Sequence, residues 1–432
     1  MKIFISTLLC CLLSSCLNSI EKTSSTKTFG AMAVMQGATS DKEALFVVSV
    51  RRQDDVQVQL LSHETKKVIL TSSVKSIIYD HSAWKLIQFK FSGLRPGTSY
   101  GLRLTGDFGS WSDTREFSTF QTGRAPKRIA LLSCMNDEYD KTGEIWKVVK
   151  SETPQALFMI GDNAYADTKI KGLVFGLTAN SLWDRHMETR NALQVFRWKK
   201  LVPVFATWDD HDFGSSDGGE NFPIKRESAK VFSSFFPMNL KSETHFKGPG
   251  VAHSFLIGEH NFLFLDNRSF RGGGNKMGNH FGSEQRQWIY GQIKKKKLNW
   301  LISGDQFFGG YHSFESFQGL HTTIFKKFIT KLKSFKSPLL LVSGDRHMSE
   351  VMKIPSKEKS QPSLYEITSS PVHSKVYPGA AARDKNPYRL KAIDGKWNFI
   401  MVDLINKKKG YQLKLEAIGH NHKRFFTQTI SI

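Results

Sequence analysis

The sequence predicts an α/β (α+β) protein: a sheet-based core flanked by helices, preceded by a small all-β sandwich. Three observations predict it. Six short apolar runs each end in a Cys or an Asp, segments of helical periodicity alternate with them, and the first quarter of the chain shows only short strand patterns punctuated by Gly and Pro. A continuous apolar run closed by a turn residue is what a strand buried on both faces looks like, and alternation with helices indicates βαβ units.

In chain order, the N-terminus reads as an address. Met1-Lys2 precedes the apolar stretch Ile3–Leu13 and then Ser14-Ser15-Cys16. That stretch falls short of the roughly 20 residues that span a bilayer, so residues 1–15 read as a signal peptide. Leu13-Ser14-Ser15-Cys16 resembles a bacterial lipobox, whose Cys becomes the lipidated first residue of the mature chain. Residues 16–29 then form a polar tether. Leu17, which is not acidic, points to an outer-membrane anchor in a two-membrane host. The expectation is an exported lipoprotein held to the membrane through Cys16 and facing the periplasm or cell surface.

Residues 30–123 carry the strand patterns Ala44–Val50, Val56–Leu61, Trp84–Phe91, Tyr100–Leu104 and Thr114–Thr119, a spacing that suggests a β-sandwich. Leu94-Arg95-Pro96-Gly97-Thr98-Ser99-Tyr100 looks like the corner of a fibronectin/Ig-like module, or else a plain Pro-Gly hairpin turn. The turn-rich stretch Gln121–Pro126 is the boundary, and residues 127–432 form the larger domain. Its apolar runs are Arg128–Cys134, Ala156–Asp162, Val202–Asp210, Asn261–Asp266, Trp300–Asp305 and Leu339–Asp345. Its helix candidates are Gly143–Lys150, Leu182–Lys200, Arg226–Phe236, Ser283–Leu298 and Thr322–Ser334. Six acidic or thiol strand ends imply a shared site along one sheet rim, where open α/β sheets bind ligands.

Composition narrows the function. At 432 residues and 40% hydrophobic there is material for a sizeable core, and the net charge of +22 favours anionic partners. The lysines are scattered; Lys294–Lys297 and Lys407–Lys409 read as solvated runs, with no interleaved basic–aromatic stripe. No specific nucleic-acid or protein partner is evident. Of four cysteines, two lie in the leader and Cys16 carries the lipid, so Cys134 stands alone. An unpaired thiol in an oxidising compartment is either an inert core residue or a ligand.

Three motifs carry the chemistry: Gly161-Asp162-Asn163-Ala164-Tyr165, Thr207-Trp208-Asp209-Asp210-His211-Asp212 and Gly344-Asp345-Arg346-His347. Three carboxylates and an imidazole in four positions are costly unless cations or buried donors offset the charge. Each motif alone could be a turn or cap cluster.

Together with Ser133-Cys134 and Asp266-Asn267-Arg268, and in this order, they resemble the calcineurin-like metallophosphoesterases, and within them the alkaline phosphatase D (PhoD-like) family. The resemblance implies a metallophosphoesterase β-sandwich core and hydrolysis of phosphate monoesters and/or diesters by metal-activated water. It implies ferric iron held by Cys134, Asp162, Tyr165 and His347. A second cation, calcium, would share Asp162 with Asp210 and Asp345; other divalent metals remain open. His211 would protonate the leaving group, Asp212 would orient His211, and Arg268 would meet a phosphate oxygen. A dedicated phosphodiesterase or nuclease acting on a polyanionic polymer is the alternative, and a non-catalytic surface-binding lipoprotein a further one.

The family pattern is not complete. Asn267 stands where Thr is common, Phe270 where a Tyr is expected and Ser216 where Asn is frequent. The iron-binding tyrosine could belong to the helix before Trp208, but the nearest aromatic there, Trp183, cannot ligate. Asp305-Gln306 occupies another motif region without revealing which side chain, if either, binds metal. The chemistry itself is coherent. A cation lowers the pKa of bound water from about 15.7 towards roughly 7, and a pair can clamp the attacking and leaving oxygens of an in-line displacement.

Overall fold

The computed structural model describes residues 33–106, 109, 111–167, 178–238, 240, 243–272, 278–356, 363–405, 407 and 410–432. The expected leader over 1–15, Cys16 and the expected tether over 16–29 lie outside the described residues. Within them, no helix is long and apolar enough to cross a membrane.

Residues 34–118 build two four-stranded antiparallel sheets. One has the order Val34–Thr39, Glu43–Arg51, Trp84–Ser92, Lys75–Ile78; the other Val68–Ser72, Gln57–Ser62, Ser99–Thr105, Ser112–Ser118. Alternate residues such as Phe46, Phe89, Phe91, Leu102 and Phe117 fill the space between them, as half-buried strands dictate. The Tyr100 hydroxyl accepts from the Arg95 amide at 2.8 Å, closing a tyrosine corner of the kind found in such sandwiches. The expected strands are present. Val68–Ser72 and Lys75–Ile78 escape sequence detection because they are short and largely exposed, and so lack apolar alternation.

From Arg128 onward the chain forms two larger sheets. The first has six strands in the order Val204–Thr207, Ala156–Ile160, Arg128–Leu132, Asn398–Ile405, Gln412–Gly419, Arg424–Ser431. The first three are parallel, the rest antiparallel. The second has eight strands, with His260–Phe264, Leu298–Ile302, Leu339–Ser343 and Leu364–Thr368 running parallel at its centre. The six apolar runs are therefore strands, but they divide three and three between two sheets instead of sharing one rim. Apolar periodicity marks burial on both faces and does not say which strand is the neighbour.

The two sheets pack face to face through Leu131, Phe158, Phe205, Phe264, Trp300 and Val342 among others. Alternate residues point outward. On one side Leu132, Met159 and Ala206 meet the helices Glu144–Ser151, Ala179–Ala192 and Lys225–Phe235. On the other, Leu263, Leu301 and Leu341 meet Ser283–Gln292 and Thr322–Ser334. The result is a helix–sheet–sheet–helix stack. The predicted helix over Leu182–Lys200 is shorter than expected: it stops at Ala192, and a separate turn, Gln194–Arg197, follows.

The sheets approach each other tightly where their parallel strands end. A Cβ on Gly161 would lie 2.7 Å from the Asp209 Cβ and 3.1 Å from the Gly304 Cα, and Gly161 itself sits at φ +99°. Only glycine satisfies both the conformation and the approach. Gly161→Ala is expected to destabilise the protein by about 2–4 kcal/mol, read as a lowered midpoint in urea; an unchanged midpoint would show that the seam has slack.

Candidate metal centre

The turns after the parallel strands carry the site. Cys134, Asp162, Asp345 and His347 all sit in the left-handed backbone region, at φ 55°, 52°, 63° and 51°. For side chains with a Cβ this is strained, and such strain concentrates where surrounding structure over-determines a functional geometry.

Three groups of donors converge there: Cys134 with Asp162 and His347, Asp162 with Asp210 and His211, and Asp209 with Asp210 and Asp345. In each group the donor atoms lie within 4.8 Å of one another. The groups overlap, since Asp162 belongs to the first two and Asp210 to the last two. The sharing joins the three groups into one continuous donor cluster. Buried oxygens are left without hydrogen-bond partners at Asp162 Oδ1, Asp209 Oδ2 and Asp210 Oδ1, which folded proteins avoid unless something else meets them. The donor set of thiol, imidazole and carboxylates therefore fits cations.

The first-sheet side is tightly organised. The Cys134 thiol lies 3.3 Å from Asp162 Oδ2 and accepts from the Ser370 hydroxyl at 3.1 Å. Ser370 also takes the His347 amide at 2.8 Å, so one serine ties the two motifs together. Tyr165 is buried, with its hydroxyl 2.8 Å from Ser374 and 3.5 Å from His347 Nε2, and its ring stacked on His211 at 4.0 Å. Trp183, in the helix before Trp208, instead stacks on Tyr79. Tyr165 thus lies beside the cluster, and Trp183 does not.

Electrostatics follow burial. With no cation, burial and the Asp162 and Asp345 charges push the Cys134 thiol well up. Burial raises Asp162 well above the carboxylate range and does the same for Asp345, helped there by Asp209 and Asp210. Asp209 reaches about 7, again through burial. Burial holds His347 down at about 4, so its imidazole is a neutral donor. Burial also opposes charge on His211, but Asp162, Asp167 and Asp210 outweigh it and raise that ring to about 11.

Several of the expected site residues make hydrogen bonds other than those their expected roles call for. Asp212 does not hold His211: its carboxylate accepts from the Ala164 and Asp209 amides and the Asn163 side chain, at 2.9–3.1 Å. It braces the turn, as a buried carboxylate at a short helix start does. His211 Nδ1 is instead 2.7 Å from Asp167 Oδ1. Arg268 was expected to meet a phosphate oxygen, yet its side chain is wholly buried. Its Nε donates to Asp209 at 2.6 Å and its Nη1 to Glu315 at 2.9 Å, while Nη2 lies 3.7 Å from Asp210. Its charge balances carboxylates from beneath.

Two of the five acidic strand ends, Asp266 and Asp305, fall outside the three donor groups. Asp266 accepts from Trp208 Nε1, from the Arg268, Ser269 and Val251 amides and from the Ser269 hydroxyl. Asp305 accepts from Asn267, Arg271 and Ser303 and contacts His280. Gln306 donates to Glu350 and Thr368. Ser216 is exposed and half-buried Phe270 packs on Phe246, so neither substitution disturbs the cluster. The sequence reading missed Asp167, Asp209 as a donor, and Ser370. An extra acid two residues beyond Tyr165 was the available signal for Asp167; serine 370 gave none.

A family model for PhoD-like phosphatases matches residues 129–399. The chain belongs to the PhoD-like phosphatase family. Its match begins in the first strand of the six-stranded sheet and spans all three donor groups. PhoD-like phosphatases are metal-dependent phosphoesterases, and the overlapping donors of this member suit that chemistry. No curated protein matches the chain. Among solved structures, it is similar over 22% of its length to the sensor domain of the anti-sigma factor RsgI4 of Pseudobacteroides cellulosolvens. There it covers 98% of that chain at 14% identity and TM-score 0.16. A cyclomaltodextrinase is 11% identical over 72% of this chain and 60% of its own, with TM-score 0.19. At such TM-scores neither structure bears on fold or activity.

Proposed function

We propose that this PhoD-like phosphatase is an exported, lipid-anchored enzyme that hydrolyses phosphate monoesters and/or diesters with two adjacent cations. The observation that carries the reading is the sharing of Asp162 and Asp210 among three donor groups. The N-terminal apolar stretch and lipobox-like Leu13–Cys16 support export, Cys16 lipidation and an outer-membrane address. The proposed division is a leader over 1–15, a tether over 16–29, a sandwich over 30–123 and a catalytic domain over 127–432.

Cys134, Asp162, Tyr165 and His347 would hold ferric iron, since a hard ion suits phenolate and carboxylate and tolerates one thiolate. Asp162, Asp210 and Asp345, joined by Asp209, would hold calcium through an all-oxygen shell. When bound, the cations would supply an activated water and neutralise the phosphoryl oxygens. The protein's own residues do the rest. His211, with Nδ1 bound to Asp167, has Nε2 available to give a proton to the departing oxygen. Tyr165 stacks behind that ring and fixes its plane. Arg268 and Arg271 offset the buried negative charge through Asp209, Asp305 and Glu315.

Elemental analysis of purified protein, with parallel assays on an aryl phosphate and a bis-aryl phosphate, tests the reading. Asp210→Ala is expected to lose turnover of both esters while remaining folded; parental kcat values in the variant would refute it. Asp167→Asn is expected to keep both metals but lower kcat about 10- to 100-fold, with less effect on an ester whose leaving group needs no proton. Equal losses on good and poor leaving groups would show that Asp167 only shapes the loop.

A further inference from the structure

We propose that a basic and aromatic groove beside the metal centre is a subsite for a single-stranded, base-bearing phosphodiester chain. The proposal rests on the phosphoesterase reading and specifies its substrate class. The groove is an open cavity of about 390 Å³, where the turn at His420–His422 meets the loop before strand Asn398–Ile405. Lys396, Trp397, His420, Lys423 and Phe425 line it, and no acidic residue is among its lining. The Trp397 and His420 rings lie 5.4 Å apart, and Lys423 Nζ sits 5.6 Å from the centre of Phe425. Half-buried flat rings beside exposed ammonium groups are what a strand of nucleotides needs, because bases stack and phosphates pair. No such stripe is visible in the sequence; the fold assembles it from segments more than 20 residues apart.

One short segment joins this groove to the metal cluster. Ser374 bonds the Tyr165 hydroxyl through its own hydroxyl at 2.8 Å and accepts from Trp397 Nε1 through its carbonyl at 2.7 Å. Val376 lines the groove, and the next residue, Tyr377, places an exposed ring 5.6 Å from the His347 ring. Lys375 Nζ lies 5.2 Å from the centre of the Tyr377 ring. Within four consecutive residues the segment touches the cluster through Ser374 and Tyr377 and the groove through Val376 and the Ser374 carbonyl. A chain whose scissile phosphate sits at the donors would lay its next nucleotides along this path.

The test compares the parent with Lys396→Glu/Lys423→Glu, both exposed positions, on three substrates. These are bis(p-nitrophenyl) phosphate, an oligothymidylate and a glycerol-phosphate polymer that lacks bases. The expected result is a KM for oligothymidylate raised at least about tenfold, with kcat/KM on the small diester changed less than about twofold. Binding of labelled oligothymidylate should weaken in parallel. An unchanged oligothymidylate KM, or a parent that hydrolyses the small diester but not oligothymidylate, overturns the subsite. A loss confined to the glycerol-phosphate polymer overturns the base-bearing assignment. A parent inactive on the small diester as well as on an aryl phosphate would instead defeat the phosphoesterase reading itself.

Discussion

Asp162→Asn should abolish aryl phosphate turnover, by about a thousandfold or more, and empty both cation positions together. Asp162 is the donor shared between the thiol-containing group and the group containing Asp210, so removing its charge weakens each. Asn keeps the side-chain volume, so the effect is electrostatic and not a cavity. The same substitution removes a buried carboxyl whose ionisation burial already disfavours and whose Oδ1 has no partner in the protein. Metal-stripped Asp162→Asn is therefore expected to melt no lower than the metal-stripped parent. Elemental analysis reads the first expectation and calorimetry the second. A variant that retains both metals, or a tenth of the activity, would disprove the bridge.

Removing the metals should also reverse the usual pH dependence of a carboxylate-rich site. Asp162 and Asp345 are pushed well above their ordinary range by burial, and burial takes Asp209 and Asp212 to about 7. For a carboxyl raised in the folded state, the stabilisation is full below the unfolded value near 4 and is lost as pH rises through the folded value. Asp210, carried down to about 2 because the Arg268 and His211 charges outweigh its burial, adds a constant contribution above pH 4. Relative to the metal-loaded protein, the chelated protein should therefore lose on the order of a few kcal/mol between pH 5 and pH 8, a comparison in which the buried histidines away from the site cancel. Added cations should restore it most strongly at the alkaline end. A difference in melting temperature between metal-loaded and chelated protein that stays flat or shrinks over that window would mean that the carboxylates find compensation without metal.

The sequence made the strands legible because they are buried on both faces. ALFMI and LLLVS admit few other readings. It also exposed Cys134, Asp162, Asp210, Asp345 and His347, because each closes such a run or follows it within two residues. What it could not show was partition. Arg128–Leu132 and Leu339–Ser343 look alike as text, yet lie in different sheets. Nor could it separate Asp266 and Asp305 from the donors, since a carboxylate satisfied by five hydrogen bonds and one awaiting a cation have the same letter. Asp167 and Ser370 act through hydrogen bonds made by the fold, across 44 residues to His211 and 236 to Cys134. Short-range spacing carries no trace of either.

The division of the strands has a mechanical consequence. Cys134, Asp162 and Asp210 end strands of the six-stranded sheet, whereas Asp345 and His347 follow a strand of the eight-stranded one. On the two-cation reading proposed above, ions held by both sets would act as a clasp that fastens the two leaves of the molecule along their shared margin. No disulfide takes that part, Cys134 being the free cysteine among the described residues. Loading the ions and locking the leaves would then be one event.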